Sequence, residues 1–497
     1  MDRDEDGFAQ SMFDPSSSKL KTEIEKEEEK RQQILDEYNM KALNKVVNDN
    51  EFRPVNILRL NFLGAEGGKY REPFLKKQLE PLLEYNKESL TMGKLLKNID
   101  LVNLNFLKSD SISNIGCQLT LPENNQFFNM INPDILDLVI NMQVIPVKKF
   151  FLKIGTNVGN GEGDGYVKLQ WKNIFGGGES LDFDTNISSN EFKFKNSKSQ
   201  YLMNYSSPIF NNSNYKFNTI LYHSLRSIDF TSYHNQSIEG ITLKASTNYL
   251  PIENKLNHEI SFENLIRCID LKYSNNEGFR NNSLMTDYFL FNSGYNFKSS
   301  ITYSIIKDCR DSKYIFDKGY YVRLSNEISL FSNNKFIKSC FDYSKGYKIN
   351  SGLLFNLNLK MGLINSLTND LIHPMDKFQL GGSNDIKGWL NSGMGPKQMN
   401  MNLGGNYFHA IGLNLFSNVP YFKDSNFKFH YFINIGKLTN KINYNNILKQ
   451  NCISSGFGIS YNHPMAAFEL NWVVPISANF NDDLRRGLQW GIGISFL

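Results

Sequence analysis

Histidines, acids and glycine-rich turns are where chemistry would have to reside in this 497-residue chain, and none of them forms a catalytic set. The seven histidines are scattered, and His258-Glu259 lacks the second histidine that completes an H-E-x-x-H zinc pair. No G-x-x-x-x-G-K-[ST] phosphate loop occurs. Cys117, Cys268, Cys309, Cys340 and Cys452 stand far apart without a C-x-x-C pair, which argues against a disulfide framework or a zinc site and fits a reducing compartment. Gly159-Asn-Gly-Glu-Gly-Asp-Gly165 imitates a phosphate or calcium loop, but it lacks EF-hand spacing and lies between two alternating segments, the setting of a hairpin turn. The expectation is therefore no catalytic residue, no metal and no cofactor.

Residues 376–398, DKFQLGGSNDIKGWLNSGMGPKQ, carry a different kind of information. Gly381, Gly382, Gly388, Gly393 and Gly395 admit backbone angles and close approaches closed to other residues, so the segment can fold back on itself compactly. It interrupts a long series of alternating segments. An irregular stretch of this length inside regular structure is a functional candidate; the bland alternative is a long surface loop.

A sheet must hold that loop. From about Pro146 onward the period is two. Phe150, Leu152, Ile154, Thr156 and Val158 share a face opposite Lys149, Lys153 and Asn157. Leu353, Phe355, Leu357, Leu359 and Met361 oppose Asn356, Asn358 and Lys360; Phe468, Leu470, Trp472 and Val474 oppose Glu469 and Asn471. At the end, Leu488, Trp490, Ile492, Ile494 and Phe496 oppose Gln489, Gly491, Gly493 and Ser495. Aromatic residues make up 13% of the chain, with 38 Phe and 24 Tyr, yet the mean hydropathy is −0.40. An aromatic-rich chain that is polar on average fits a transmembrane barrel, whose lipid-facing and lumen-facing residues alternate. No run approaches the length of a membrane helix, and strands of about 9 to 11 residues cross a bilayer when tilted. Open edges in hydrocarbon would leave backbone groups unsatisfied, so such a sheet must close. About 16 antiparallel strands are expected. A soluble β-rich binding protein is the competing reading of the same pattern.

Three regions follow. Residues 1–50 form a charged leader, helical or disordered, with neither an apolar signal segment nor an Arg-rich transit segment, which points to synthesis in the cytosol. Residues 51–146 read as a small α+β domain: a strand opening at Val55, helices over 71–83 and 90–96, and strands over 112–121 and 135–144. Residues 147–497 are the strand series, broken by the loop at 376–398. The net charge of +4 and the lack of a basic cluster give no sign of nucleic-acid binding.

Ile386-Lys387-Gly388-Trp389, followed by Gly393-Met-Gly395-Pro396, resembles the V/I-R-G-F/Y and G-x-G-P signature of the BamA-type POTRA-barrel superfamily. The Gly155-to-Gly163 hairpin, Asp308-Cys-Arg-Asp, Phe378-Gln-Leu-Gly-Gly, Phe468-Glu-Leu-Asn-Trp and the terminus from Gly487 are similar to the central barrel subunits of the mitochondrial sorting and assembly machinery, and the resemblance spans residues 53–497. It implies an all-β transmembrane barrel preceded by a POTRA-like βααββ domain. It also implies an insertase and foldase that receives β-barrel precursors at a lateral gate. The first strand would contribute Phe150, Leu152, Ile154 and Thr156, and the last Gln489, Gly491, Gly493, Ile494 and Phe496. The signature loop (Gly381, Gly382, Ile386, Lys387, Gly388, Trp389, Gly395, Pro396) would dock on an F-x-D-x-G strand, here Phe432, Asn434 and Gly436. Lys387 replaces the family's Arg and Asn434 its Asp, so a bidentate charged pair becomes a single contact and the docking is expected to be looser. The implied partners are precursors, peripheral outer-membrane assembly subunits and the lipid bilayer. The implied location is the mitochondrial outer membrane, with the N-terminal domain in the intermembrane space. The alternative function is an outer-membrane channel, either a plastid-type protein-import barrel or a solute porin.

Overall fold

The computed structural model describes residues 38, 41, 45, 47–64, 70–84, 90–122, 135–159, 162–188, 199–228, 234–271, 286–312, 315–350, 352–368, 370–398, 401–420, 426–440, 451–462 and 467–493. Most of the charged leader, and Ile494 and Phe496 of the terminal motif, lie outside these residues. Contacts gather the chain into two compact units, one drawn from residues 1–67, 76–104 and 112–146, the other from 68–75, 105–111 and 147–497.

The N-terminal elements run β1 (Val55–Leu63), α1 (Glu72–Leu83), α2 (Met92–Lys108), β2 (Ile112–Thr120) and β3 (Leu136–Pro146). The sheet order is β1-β3-β2, with β1 parallel and β2 antiparallel to β3. Strand β3 lies in the middle and buries Leu138, Ile140, Met142 and Val144 at alternate positions. Helix α2 continues well past residue 96, where the sequence reading ended it. Leu95, Ile99, Val102 and Phe106 form a buried stripe at helical spacing, which sustains the helix through the intervening asparagines.

The second unit is built on a 16-stranded sheet. Its strands are β4 (Phe150–Gly159), β5 (Glu162–Lys172), β6 (Ser180–Ser188), β7 (Ser199–Ile209), β8 (Asn212–Ile228), β9 (His234–Thr247), β10 (Asn257–Leu271), β11 (Gly294–Asp308), β12 (Tyr320–Ser329), β13 (Phe336–Asn350) and β14 (Leu353–Ser366). After an inserted segment come β17 (Tyr407–Asn418), β18 (Phe427–Thr439), β19 (Cys452–Asn462), β20 (Ala467–Ser477) and β21 (Gly487–Gly493). Among the described residues, the segment between β14 and β17 contains the two-residue strands β15 (Lys397–Gln398) and β16 (Met401–Asn402). Short helix α3 (Asp287–Phe291) precedes β11. Each strand of the large sheet pairs antiparallel with its sequence neighbour, so successive connections fall at alternate ends. The insertion after β14 and the β20–β21 connection share one end. The β11–β12 connection and the start of β4 share the other.

The two faces invert the pattern of a water-soluble sheet. Leu152, Ile154, Phe457, Trp472, Leu488 and Trp490 are exposed, whereas Asn414, His430, Asn434, Asn471 and Gln489 on the opposite face are buried. A large apolar surface turned outward over a polar interior is stable only against lipid. The sheet is a transmembrane β-barrel, which excludes the soluble reading. Among the described residues no helix is long and apolar enough to cross a membrane.

Candidate functional site in the inserted loop

The five loop glycines serve two backbone needs. Gly381, Gly382, Gly388 and Gly395 take φ of +112°, +125°, +100° and +102°, a region that side chains disfavour. Gly393 instead allows close approach: a Cβ there would press on the carbonyl oxygens of Leu390 and Asp483. With these turns made, Ile372, Phe378, Leu380, Ile386, Trp389 and Met394 collapse into a buried core. That core includes Phe336 of β13, Ile364 of β14, Ala410 of β17, Leu438 of β18 and Cys452 of β19. The loop is thus packed against the inner wall. Beyond the tip, the Pro396 carbonyl accepts the Leu403 N–H at 3.0 Å.

Its root is fixed by charge. The buried Asp376 carboxylate meets Arg267 Nη1 of β10 at 2.7 Å and Lys298 Nζ of β11 at 3.1 Å. Lys298 also reaches Glu327 of β12 at 2.6 Å, and Lys338 Nζ of β13 donates to the Asp376 carbonyl at 2.8 Å. One residue therefore ties the loop to two strands by its carboxylate and to a third by its carbonyl. Burial pushes the Asp376 carboxyl up, but Lys298 and then Arg267 outweigh it, and the net direction is down. Nearby His373 is lowered to about 3, first by burial and then by Arg267. Both groups bind fewer protons folded than unfolded, so both contribute stability that is lost on acidification. For His373 the loss begins near the ordinary imidazole value of about 6.5 and extends to about 3. The expected outcome is a thermal midpoint in detergent that falls between pH 6.5 and 4, with the fall reduced in His373→Gln; an unchanged slope in that variant would remove His373 as its source.

The tip reaches the last strands. Ile386 seats on Gly436 of β18, where any Cβ would overlap its Cδ1 methyl. The Lys387 ammonium lies 3.2 Å from the Glu469 carboxylate of β20 and 5.0 Å from the centre of the Phe432 ring of β18. Both charged side chains are buried. Of the docking strand read from the sequence, Phe432 and Gly436 meet the loop. Asn434 does not hydrogen-bond to it: neither of its polar atoms has a partner among the described residues. The carboxylate opposite Lys387 is Glu469, a residue the sequence placed on the polar face of its strand without a role.

A short backbone ladder then joins the loop to the β20–β21 connection. Arg485 N–H donates to the Gly388 carbonyl at 2.9 Å, Leu390 N–H to Asp483 O at 3.0 Å, and Asp483 N–H to Gly393 O at 2.9 Å. Trp389 forms an antiparallel bridge with Leu484. The Gly395 N–H donates to Asp482 Oδ1 at 3.1 Å, and Lys397 pairs with Asp483 at 2.6 Å. The last strand is included: Gln489 Oε1 receives the Gly388 N–H at 3.4 Å while its Nε2 donates to Arg485 O at 2.7 Å. Gly491 stands opposite Glu469 and Gly493 opposite Ala467 in the β20–β21 register. On the first strand, Phe150, Leu152 and Ile154 are exposed, Ile154 by 67%, and Thr156 lies opposite Gly165 of β5. Among the described residues, no ladder joins β4 to β21, the two ends of the sheet order.

These features define a class: a 16-stranded membrane barrel with a glycine-rich inserted loop docked on the inner faces of its last strands. The Omp85 superfamily domain matches residues 173–496, and the chain belongs to that superfamily. It is 28% identical over 482 residues to a SAM50-like protein of Schizosaccharomyces pombe, covering 93% of this chain and 95% of that protein. It is 28% identical over 450 residues to the "Sorting assembly machinery 50 kDa subunit" of Saccharomyces cerevisiae, covering 82% and 88%. The human "Sorting and assembly machinery component 50 homolog" is 25% identical over 376 residues, covering 72% and 76%. Among solved structures, BamA of Haemophilus ducreyi lacking POTRA domains 1–3 superposes with a TM-score of 0.67 at 12% identity, covering 88% of this chain and 84% of that one. CdiB of Acinetobacter baumannii superposes with a TM-score of 0.53 at 13% identity, covering 87% and 73%. These two likenesses concern the fold.

Proposed function

We propose that this protein is an insertase and foldase that assembles β-barrel precursors into the mitochondrial outer membrane, without covalent chemistry. The observation that carries the reading is the fastening of the inserted loop to the terminal hairpin, at the strands that end the sheet order. A solute pore has no need for such a fastening. The naming of the relatives as sorting and assembly machinery components supports the same reading.

In this mechanism the seam between β4 and β21 opens sideways, and a precursor's terminal strand pairs with the free edge of β4, satisfying backbone groups that lipid cannot. Phe150, Leu152 and Ile154 face lipid and leave the edge itself to the backbone. Gln489, Gly491 and Gly493 form the inner face of the strand being displaced, and the loop around Lys387 supports the growing sheet from inside. Peripheral assembly subunits, and an N-terminal domain in the intermembrane space, complete the picture.

The test is disulfide crosslinking between Ile154→Cys and single cysteines walked along the terminal strand of an arrested precursor. A register-specific ladder of crosslinks is the expected result. If none forms while the purified barrel conducts ions freely, the protein is a channel instead.

A further inference from the structure

The β11–β12 connection enters the barrel from the end opposite the inserted loop, and its contacts lead to the same lysine. Ile315 and Phe316 are buried, and Ile315 clusters with Leu354 of β14 and Phe416 of β17. The turn is locked locally: the Arg310 guanidinium pairs with Asp308 at 2.8 Å and stacks 4.5 Å from the Tyr321 ring and 5.5 Å from that of Phe316. With the Asn356 amide turned so that its nitrogen faces this connection, it donates to the Phe316 carbonyl at 3.1 Å, and Phe316 lies so close to Gly346 that a Cβ there would collide with its carbonyl oxygen. Phe416 carries the contact onward, stacking on the buried His430 ring at 4.7 Å and 10°.

From His430 two routes reach Lys387. One is polar. His430 Nδ1 lies 3.1 Å from Asn471 Oδ1, Asn471 Nδ2 donates to Glu469 at 3.0 Å, and Glu469 holds Lys387 at 3.2 Å. Asn471 turns its nitrogen to Glu469 and its oxygen to the ring, and on the ring's other side His430 Nε2 lies 3.0 Å from Asn414 Oδ1. The other route is aromatic: His430 packs 5.2 Å from Phe432, whose ring lies under the Lys387 ammonium. The two routes close a ring of packed side chains around the loop tip. A polar path this deep has few alternative arrangements, since each member that moves leaves a buried partner unsatisfied.

We propose that the β11–β12 connection is a second positioning element for the inserted loop: seating of Ile315 and Phe316 at one end of the barrel fixes His430, and His430 fixes the Glu469–Lys387 contact that holds the loop tip near the other. The state of one membrane face would thereby set the readiness of a loop rooted at the opposite face. Ile315, Phe316 and His430 act through Lys387 and Glu469, so they are positioning residues.

Hydrogen–deuterium exchange of the full-length barrel in nanodiscs, without any precursor, tests this apart from the assembly function. Ile315→Ser is expected to speed exchange of the loop amides in 388–393 by roughly two- to thirtyfold, the range of ordinary coupling between distant sites. Ile315→Val, which keeps the packing, is expected to leave them as in the native protein. Acceleration confined to 309–319 and its neighbours on β14 and β17, or acceleration equal in both variants, would overturn the proposal. Should Ile315→Ser fail to fold, as judged by heat-modifiable gel mobility, Phe416→Leu removes the stacking on His430 and is read in the same way.

Discussion

Lys387→Ala is expected to slow precursor assembly about tenfold or more while the variant itself still inserts and folds as a barrel. The argument is electrostatic. Lys387 and Glu469 are both buried at 3.2 Å, and removal of one partner leaves an uncompensated charge. Breaking such a pair costs on the order of 3–5 kcal/mol, although the intact pair contributes much less to net stability. The cheapest relief is release of the loop tip, since the 16-strand sheet does not depend on it. If about 1.4 kcal/mol of the cost reaches the docking equilibrium, the docked fraction changes tenfold. Lys387→Met combined with Glu469→Gln removes both charges at similar volume and is expected to recover part of the rate. Assembly kinetics of a radiolabelled precursor in isolated membranes measure the effect. Native kinetics in Lys387→Ala would count against any role for the loop tip.

Gly436→Val is expected to have an effect at least as large, for a steric reason. The Ile386 methyl occupies the space where a Cβ would stand, and the flanking strands β17 and β19 leave β18 no freedom to retreat. Overpacking of a closed interior costs about 1–3 kcal/mol, and here the movable partner is the loop. Ile386 would lift off and take the Lys387–Glu469 contact with it. Pairing Gly436→Val with Ile386→Ala restores the space, so the double variant is expected to assemble precursors faster than Gly436→Val alone. Strict additivity of the two losses would show that residues 386 and 436 act independently.

The fold was legible because a barrel writes its alternation into every strand. The apolar series at 150–154, 353–361, 468–474 and 488–490 required no knowledge of pairing, and neighbour-to-neighbour antiparallel order needs only short turns. The loop was legible from its glycines. Its partners were not. Glu469 is some eighty positions from Lys387, and an acidic residue on a lumen face looks like any solvated one until the three-dimensional register places it there. The expected weak contact of Lys387 with Asn434 rested on a motif position; the chain instead supplies a full carboxylate from β20. In the sequence Asp376 is only the first residue of the loop, and nothing local to it signals that Arg267, Lys298 and Lys338 converge on it. Helix α2 extends past residue 96 because the stripe Leu95, Ile99, Val102 and Phe106 continues through its asparagines, a signal weaker than the apolar run at its start.

The ladder between 388–393 and 483–485 also has a mechanical meaning. A strand at the end of a sheet is normally peeled one hydrogen bond at a time, with the work spread along its length. Here the first pull on the turn before β21 meets the loop's backbone bonds and the Gln489 amide together, so yielding is concentrated in one step. Thermal agitation alone would rarely complete that step, whereas a strand bound along β4 could supply the work in a single displacement. In the proposed mechanism the terminal hairpin would then stay seated on the loop until a replacement strand is already in hand.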